Sequence, residues 1–225
     1  LASLGFVKAK SDTSLFIYRR GDDVVYLLLC ADDIVLTASS PDILQRTIVA
    51  IQREFAMTDL GPFHHFLSIT VERMPQGLFL HQRQYALDIL ERAGMSDCKP
   101  CSTPVNTQAK LSKDDGSPVA DVMSYQSLIG TLQYLTFSRP DIAYIVQQVC
   151  LDMYVPREPH LTAMKWILRY LRGTTDFGLL LRWSATTDLV VYTYTDWAGC
   201  PNTHRSTFGY ALFLDDNLVS WSSKL

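Results

Sequence analysis

The chain has 225 residues, of which 48% are hydrophobic, and its formal net charge is −3. That length suits one large domain or two small ones with a sizeable core, and no apolar run approaches the roughly 20 residues that span a bilayer. The slight acidic balance argues against autonomous nucleic-acid binding, which usually needs a basic excess. Five cysteines, an odd number, argue against a disulfide scaffold, and with no signal peptide they favour a reducing, cytoplasmic compartment.

The first part of the chain predicts a β-hairpin followed by a helix. Two β-rich apolar runs, Val24 to Cys30 and Ile34 to Thr37, flank the polar pair Asp32-Asp33. Ser40 then offers a helix N-cap and Pro41 a first helical position. Apolar residues recur at helical spacing after Pro41, so we expect the helix to pack one face on the hairpin.

Further elements alternate along the rest of the chain. They are, in order, a hairpin around Pro75-Gln76-Gly77, a helix from Gln82 to Ala93, a proline-containing linker from Cys98 to Ala120, three helices near residues 125–136, 141–154 and 159–171, and strands over Gly178–Arg182, Leu189–Thr195, Gly209–Leu214 and Leu218–Ser222. The last three strands resemble an antiparallel meander. This mixture predicts an α+β fold.

The pair Asp32-Asp33 differs from three other Asp-Asp pairs in the chain because strand-like apolar runs surround it. Neighbouring carboxylates repel each other and resist desolvation, and a bound divalent cation removes that cost. Two-metal phosphoryl transfer uses carboxylates placed in this way. An ordinary hairpin turn explains the pair equally well, since Asp favours turns. The residues alone leave both interpretations open.

A family resemblance favours the first interpretation. The segment Leu27 to Thr37 resembles the strand–turn–strand of copia-type reverse transcriptases, which carry Tyr-Val-Asp-Asp at the turn. Matching segments continue in the family's order: Leu60-Gly61-Pro62, His81 to Tyr85, Cys101 to Val105, Tyr125 to Gly130, Arg139 to Ala143, Leu168 to Thr174, Asp196 to Cys200, Arg205-Ser206-Thr207, Gly209-Tyr210 and Ser220 to Lys224. The chain is therefore similar to a piece of a copia-type retrotransposon Pol polyprotein.

The resemblance implies three parts. Residues 1–105 correspond to part of a reverse-transcriptase palm sheet, residues 106–183 to a helical thumb or connection, and residues 184–225 to the first antiparallel strands of an RNase H-like domain. It also implies RNA-directed DNA polymerisation, with a template-primer and deoxynucleotides as partners and no membrane. Asp32 and Asp33 would be catalytic and would bind Mg²⁺, while the family's remaining metal-binding Asp lies on a strand before Leu1.

Several positions depart from the family pattern. Cys30 and Ala31 replace the Tyr that contacts the primer end and the Val that lines the pocket floor, and Ser68 replaces a Gly. Alignment of Trp197-Ala198-Gly199 places Tyr194 where the RNase H domain has a metal-binding Asp, leaving Asp196 as a non-ligand. A phenol is neutral near pH 7 and a poor Mg²⁺ ligand, so we expect no nuclease activity.

Two further groups bear on binding. Lys165, Arg169 and Arg172 share one helix face, and this stripe can follow a phosphate backbone, although a solvated face is the commoner explanation. Cys98 and Cys101 have zinc-ligand spacing, but the only further pair lies about a hundred residues away, so that we expect free thiols. His160, near a helix start, is expected to be structural.

The sequence thus predicts a fragment of a reverse transcriptase that is not catalytic by itself, because the upstream catalytic motifs are absent and the RNase H site is incomplete. Two alternatives stay open. One is a non-enzymatic retrotransposon remnant, and the other is a host-adopted module that binds nucleic acid or protein.

Overall fold

A computed structural model describes residues 1–30, 33–105, 111–112, 115–195 and 206–224. The chain splits into two compact units, Leu1–Phe66 and Leu67–Leu225. The division into functional parts at residues 105 and 183 stays a prediction. Within the described residues, no helix has both the length and the apolarity needed to cross a bilayer.

The first unit is built on an antiparallel sheet in which neighbours in sequence are neighbours in space. After a short 3₁₀ turn, its strands are β1 (Val7–Lys8), β2 (Leu15–Arg20), β3 (Asp23–Cys30) and β4 (Asp33–Ala38). A two-residue strand, β5 (His65–Phe66), lies at the end of the unit. The predicted β3–β4 hairpin is therefore confirmed.

Helix α1 (Pro41–Glu54) begins where the sequence predicts. The Ser40 side chain accepts a hydrogen bond from the Ile43 backbone N–H at 3.4 Å, and Pro41 occupies the first helical turn. The helix buries Ile43 and Ile51 in the same apolar cluster as the sheet residues Val25 and Leu27. This packing fixes one face of the β3–β4 hairpin.

The second unit has a helical core. Its helices are α2 (Arg83–Arg92), α3 (Val122–Leu135), α4 (Ala143–Cys150) and α5 (Glu158–Gly173), with a 3₁₀ turn over Pro140–Ile142 leading into α4. Ile129, Leu132, Ile142 and Leu168 are fully buried in one cluster that all four helices share. Helix α3 begins three residues earlier than expected because the Asp121 side chain accepts from the Ser124 N–H at 2.9 Å.

Two antiparallel sheets complete the second unit. Strands β6 (Ile69–Met74), β7 (Gly77–His81) and β8 (Gly178–Arg182) pair in that order. Strands β9 (Leu189–Thr195), β10 (Phe208–Leu214) and β11 (Asn217–Lys224) form the predicted meander, with β10 in the centre. The fold is therefore mixed α+β with antiparallel sheets, as the sequence predicts.

Strands β7 and β8 approach each other closely through two glycines. A Cβ at Gly77 would lie 1.9 Å from the Leu181 carbonyl oxygen, and a Cβ at Gly178 would lie 2.3 Å from the Leu80 carbonyl oxygen. Both distances are far below van der Waals contact, so any larger residue would push the strands apart. The pairing of β7 with β8 thus depends on glycine at both positions.

Candidate functional site

The β3–β4 hairpin places one of the predicted catalytic carboxylates at its open end. Cys30 pairs with Asp33 across the last rung, and Leu29 pairs with Ile34 on the rung before it. Asp33 opens β4 and is exposed, whereas Cys30 is half-buried. Ala31 and Asp32 lie between these ends and outside the described residues. The expected position of Asp33 on an exposed hairpin end is confirmed.

Asp33 has some, but not all, of the features that a site for a hard cation such as Mg²⁺ needs. Its carboxylate oxygens are the donor type that Mg²⁺ prefers. No ion pair to Lys, Arg or His engages Asp33 within the described part of the chain, so its charge is not neutralised there. Equally, the described residues contain no cluster of three or more His, Cys, Asp or Glu side chains that could hold a metal ion. A complete site would need Asp32 and at least one more carboxylate.

The predicted basic stripe on α5 is engaged in the fold. The Arg169 Nε donates to the Lys99 carbonyl at 2.8 Å, and the Arg172 Nε donates to the Ser96 carbonyl at 2.6 Å. Each guanidinium has five N–H donors, so these bonds use one donor apiece. Lys165 is exposed and lines a cleft of about 340 Å³ together with the carboxylates of Asp121 and Glu158. Whether the stripe contacts nucleic acid stays a prediction.

The segment that follows α2 is held along α5 by more than these two arginines. The Trp166 indole N–H donates to the Thr103 carbonyl at 2.8 Å, and the Arg169 guanidinium stacks 5.2 Å from the Trp166 ring centroid. The Cys101 backbone N–H donates to the Arg169 carbonyl at 3.4 Å. The expected linker is thus fixed to the helix over residues 96–103, although it forms no regular element there.

The two cysteines of this segment behave as structural thiols. Cys98 and Cys101 are half-buried, and the single S–H of Cys101 lies within reach of two acceptors, the Thr103 and Trp166 carbonyl oxygens, at 3.4 and 3.5 Å from Sγ. Burial raises the pKa of Cys101, so the thiolate that binds zinc is disfavoured. Cys200 and His204, the only other pair considered for zinc, lie outside the described residues.

Ser68 occupies a left-handed backbone conformation. Leu67 and Ser68 have φ angles of 48° and 62°, both in the left-handed region. Side chains disfavour that region because Cβ crowds the following carbonyl, whereas glycine enters it freely. A serine at this position therefore holds a backbone conformation that glycine adopts more easily.

Strand β9 carries Tyr194, the residue that the family resemblance aligns with a nuclease aspartate. Tyr194 pairs with Gly209 of β10 in an antiparallel register, as predicted, and its side chain is 67% exposed. Asp196 lies outside the described residues. Tyr194 is thus an exposed phenol on a strand that pairs, among the described residues, with β10 alone.

One buried polar cluster escaped sequence reasoning. Arg139 is 2% exposed, and its Nε and Nη2 donate to the two Asp141 carboxylate oxygens at 2.9 and 2.7 Å. Its Nη1 and Nη2 also donate to the Thr174 carbonyl and hydroxyl, both at 2.8 Å. The Tyr170 hydroxyl donates to Asp141 at 2.9 Å. The motif Arg139-Pro140-Asp141 carries both charges of this ion pair. In the sequence it served only as a match to the family.

The charge of Arg139 controls the ionisation of its partner. Burial pushes the pKa of Asp141 upward, but hydrogen bonds from Arg139 and Tyr170 and the guanidinium charge outweigh burial and hold that pKa below its usual value. Asp141 is therefore ionised at neutral pH. The cluster joins the start of α4 to the end of α5 and has a structural role.

His160 is structural, as expected. It is fully buried, and its Nδ1 accepts the Arg157 backbone N–H at 3.0 Å in a capping arrangement at the start of α5. Its Nε2 lies 3.4 Å from an Asp152 carboxylate oxygen, which is long for a hydrogen bond. Burial lowers the pKa of His160 more than Asp152 raises it, so the ring is neutral near pH 7.

Comparison with known proteins agrees with the hairpin and the fold. Residues 1–107 match the family model described as reverse transcriptase (RNA-dependent DNA polymerase). The whole chain is 43% identical over 224 residues to the retrovirus-related Pol polyprotein from transposon RE1 of Arabidopsis thaliana, and 34% identical over 236 residues to that from transposon TNT 1-94 of Nicotiana tabacum. It spans 15% and 18% of those two polyproteins.

A shorter relative is covered more fully. An uncharacterized mitochondrial protein of Arabidopsis thaliana is 44% identical over 200 residues, which make up 89% of this chain and 83% of that protein. No solved structure matches the chain.

These matches define a reverse-transcriptase-like protein of retroelement origin. More narrowly, the chain belongs to the family of copia-type retrotransposon Pol polyproteins and contains part of their reverse transcriptase.

Proposed function

We propose that this chain supplies the second catalytic motif of an RNA-directed DNA polymerase, with Asp32 and Asp33 as its metal-binding carboxylates. The observation that carries the proposal is the β3–β4 hairpin, whose exposed Asp33 lies inside the segment that matches the reverse-transcriptase family. A divalent cation bound there would supply charge stabilisation for phosphoryl transfer. The chain's own part is to hold the carboxylates at a fixed hairpin end.

The hairpin is built to hold that position. Val25 and Leu27 of β3 are fully buried, and they share a core with Ile51 of α1. Backbone pairing of β3 with both β2 and β4 prevents the strand from sliding. The support therefore holds the carboxylate in a fixed orientation before a substrate binds. A metal-dependent site requires such a fixed orientation.

We expect the chain by itself not to extend a primer. Two-metal transfer needs carboxylates from more than one strand, and the family's third carboxylate belongs to a segment before residue 1. The helix that shapes the nucleotide pocket belongs there as well. Positioning of reactants supplies about 7–11 kcal/mol of barrier reduction, and each 1.4 kcal/mol lost slows turnover about tenfold.

Cys30, Ala31, Lys165, Arg169 and Arg172 are proposed to contact the template-primer. Of the three basic residues, Lys165 is the one whose side chain is exposed without a hydrogen bond in the described structure. The logarithm of the binding constant falls linearly with the logarithm of the salt concentration. We expect Lys165→Ala to reduce the steepness of that line by about one, which is the change expected when one phosphate contact is lost. Arg46→Ala on α1, an exposed arginine outside the stripe, is the matched control.

Primer extension on poly(rA)·oligo(dT) with Mg²⁺ or Mn²⁺ tests the catalytic proposal. We expect no synthesis by the chain itself, and metal-dependent synthesis by a longer polyprotein segment that includes the upstream strand. In that segment the double variant Asp32→Asn, Asp33→Asn should abolish synthesis, whereas Asp22→Asn, Asp23→Asn, the other Asp-Asp pair at an end of β3, should retain it. Retained synthesis in the first variant would contradict the assignment of the carboxylates.

A further inference from the structure

Residues 116–119, here called the strap, lie against the start of α5 and lead into α3. The Val119 N–H donates to the Pro156 carbonyl oxygen at 2.9 Å, and the Glu158 N–H donates to the Ser117 carbonyl oxygen at 3.0 Å. The Val119 side chain is buried. The strap is therefore held by backbone pairing with the residues at the start of α5 and by burial of one side chain.

Arg157, the N-cap residue of α5, is the centre of this attachment. It forms an antiparallel bridge with Pro118, and its Nη1 donates to the Gly116 carbonyl oxygen at 2.7 Å. The two segments approach each other closely, because a Cβ at Gly116 would lie 2.8 Å from the Pro159 Cδ. A displacement of Arg157 would therefore detach the strap from the helix.

The imidazole of His160 holds Arg157 in place. His160 is fully buried, and its Nδ1 accepts the Arg157 backbone N–H at 3.0 Å. Because Nδ1 is the acceptor, the proton of the neutral ring is on Nε2, which lies 3.4 Å from an Asp152 carboxylate oxygen. A second proton can bind only at Nδ1, where it would point at the Arg157 N–H. Two donors cannot form this contact, so protonation removes the hydrogen bond that positions the cap.

We propose that residues 116–119 form a pH-sensitive strap, which is closed while His160 is neutral and is released when Nδ1 takes up a proton. Release breaks the contact between the imidazole and Arg157, and the backbone pairing of the strap is lost with it. The helical core stays folded, because burial of its apolar side chains does not depend on pH. The proposal does not rest on the catalytic assignment, because the strap and His160 lie outside the reverse-transcriptase match.

The charged groups near His160 set the direction of the effect. Among the described residues, Asp152 and Arg157 are the charged groups that act on the ring. Tyr125 of α3 lies close to Asp152 and to Cys150 of α4, and burial raises the pKa of both Tyr125 and Cys150, so that neither is charged in acid. Burial lowers the pKa of His160 more than Asp152 raises it. The closed strap therefore takes up the proton less readily than the released one, in which we expect water to reach the ring.

Amide hydrogen exchange of the whole chain, measured by NMR at pH 7.5 and pH 5 and expressed as protection factors, tests the proposal. Between the ordinary histidine pKa of about 6.5 and the lower pKa of the closed state, each pH unit should favour release about tenfold. We expect the protection factors of the Val119 and Glu158 amides to fall about tenfold at pH 5. The amides of Leu132 and Ile167, inside α3 and α5, should keep theirs.

His160→Asn separates titration from capping. The Asn carbonyl oxygen can accept the Arg157 N–H as Nδ1 does, but it does not titrate, so the strap should be equally protected at both pH values. Asp152→Asn removes the carboxylate that favours the proton in the closed state. The fall at pH 5 should then be larger, up to about 30-fold, because the pKa of the closed state drops further below 6.5. If His160→Asn does not fold, Asp152→Asn decides, and an unchanged fall overturns the proposal.

His81→Asn is the matched control, because the Nδ1 of His81 accepts the Arg83 N–H at 3.3 Å at the start of α2. This variant should keep the wild-type fall in strap protection, and its loss would assign the pH dependence to another group. Constant protection of the strap in the wild type, or a fall that persists in His160→Asn, would overturn the proposal. A parallel fall at Leu132 would show unfolding of the core instead of release of the strap.

Discussion

Arg139 and Asp141 form a bidentate ion pair in which the guanidinium is fully buried and the carboxylate is only partly accessible. The two residues are separated by Pro140, which starts the turn that leads into α4. The same guanidinium lies near the rings of Tyr170 and Phe177, 5.7 and 5.4 Å from their centroids. The pair therefore connects three segments of the helical core.

Removing one partner of this pair should be costly. We expect Asp141→Asn to destabilise the second unit by about 3 kcal/mol or more, because Arg139 would remain buried without a countercharge. Urea unfolding followed by circular dichroism measures the change. Asp176→Asn removes the partner of Arg83 in an exposed ion pair and should change stability by about 1 kcal/mol at most. Equal losses in the two variants would contradict the buried role of Arg139.

We expect acid to destabilise the fold in two steps, the first from protonation of His160 and the second from protonation of Asp141. His160 has a pKa below its ordinary value of about 6.5, so the unfolded chain binds the proton more readily and stability falls as the pH drops below that value. Asp141 has a pKa below its ordinary value of about 3.9, so its contribution is present above that pH and is lost as the pH falls further.

Unfolding free energies measured from pH 8 to pH 3 check this order. His160→Asn should remove the loss that begins near pH 6.5. A profile that is flat from pH 8 to pH 5 in the wild type would show that burial of His160 does not control its ionisation.

Ser68→Gly should stabilise the protein. The left-handed φ of 62° costs a residue with a side chain about 1–2 kcal/mol, and glycine avoids most of that cost while losing some to backbone entropy. We expect a net gain of about 1 kcal/mol in urea unfolding. Ser102→Gly, at an exposed serine outside the left-handed region, should be neutral or destabilising. A loss of stability in Ser68→Gly would show that the turn is not strained.

Gly178→Ala should separate β8 from β7. The added Cβ would lie 2.3 Å from the Leu80 carbonyl oxygen, and relief requires movement of the backbone. We expect a loss of about 1–3 kcal/mol, with faster amide exchange in β7 and β8. Gly209→Ala in β10 is the matched control, because its Cβ would meet nothing closer than 3.5 Å. Equal effects of the two substitutions would contradict the close approach.

Local signals predicted much of this fold. Ser40 and Pro41 marked the start of α1, and the apolar runs around Asp32-Asp33 marked the β3–β4 hairpin. Both depend on residues that are neighbours in sequence, where capping and alternation act directly. The start of α3 was placed too late because Asp121 was not recognised as its cap.

Long-range pairings were harder to predict. Nothing in Gly178 to Arg182 indicates that it pairs with Gly77 to His81, because strand partners far apart in sequence leave no local pattern. The contacts of Arg169 and Arg172 were equally hard to predict. The sequence predicted that they lie on one charged helix face, but not that they bind the carbonyls of Lys99 and Ser96. A helical periodicity identifies which side chains share a face, but it does not identify what that face contacts.

The pairing of β7 with β8 also sets an order for folding. All four core helices, α2 to α5, lie between these two strands in sequence, so the pair forms only when the chain has closed a loop around the helical core. Closure of so long a loop is entropically costly, so we expect the helices to pack before β7 and β8 pair. A nascent chain that has passed α2 but has not reached Gly178 would then present β7 as an open edge, and we expect it to be more prone to aggregation in that interval.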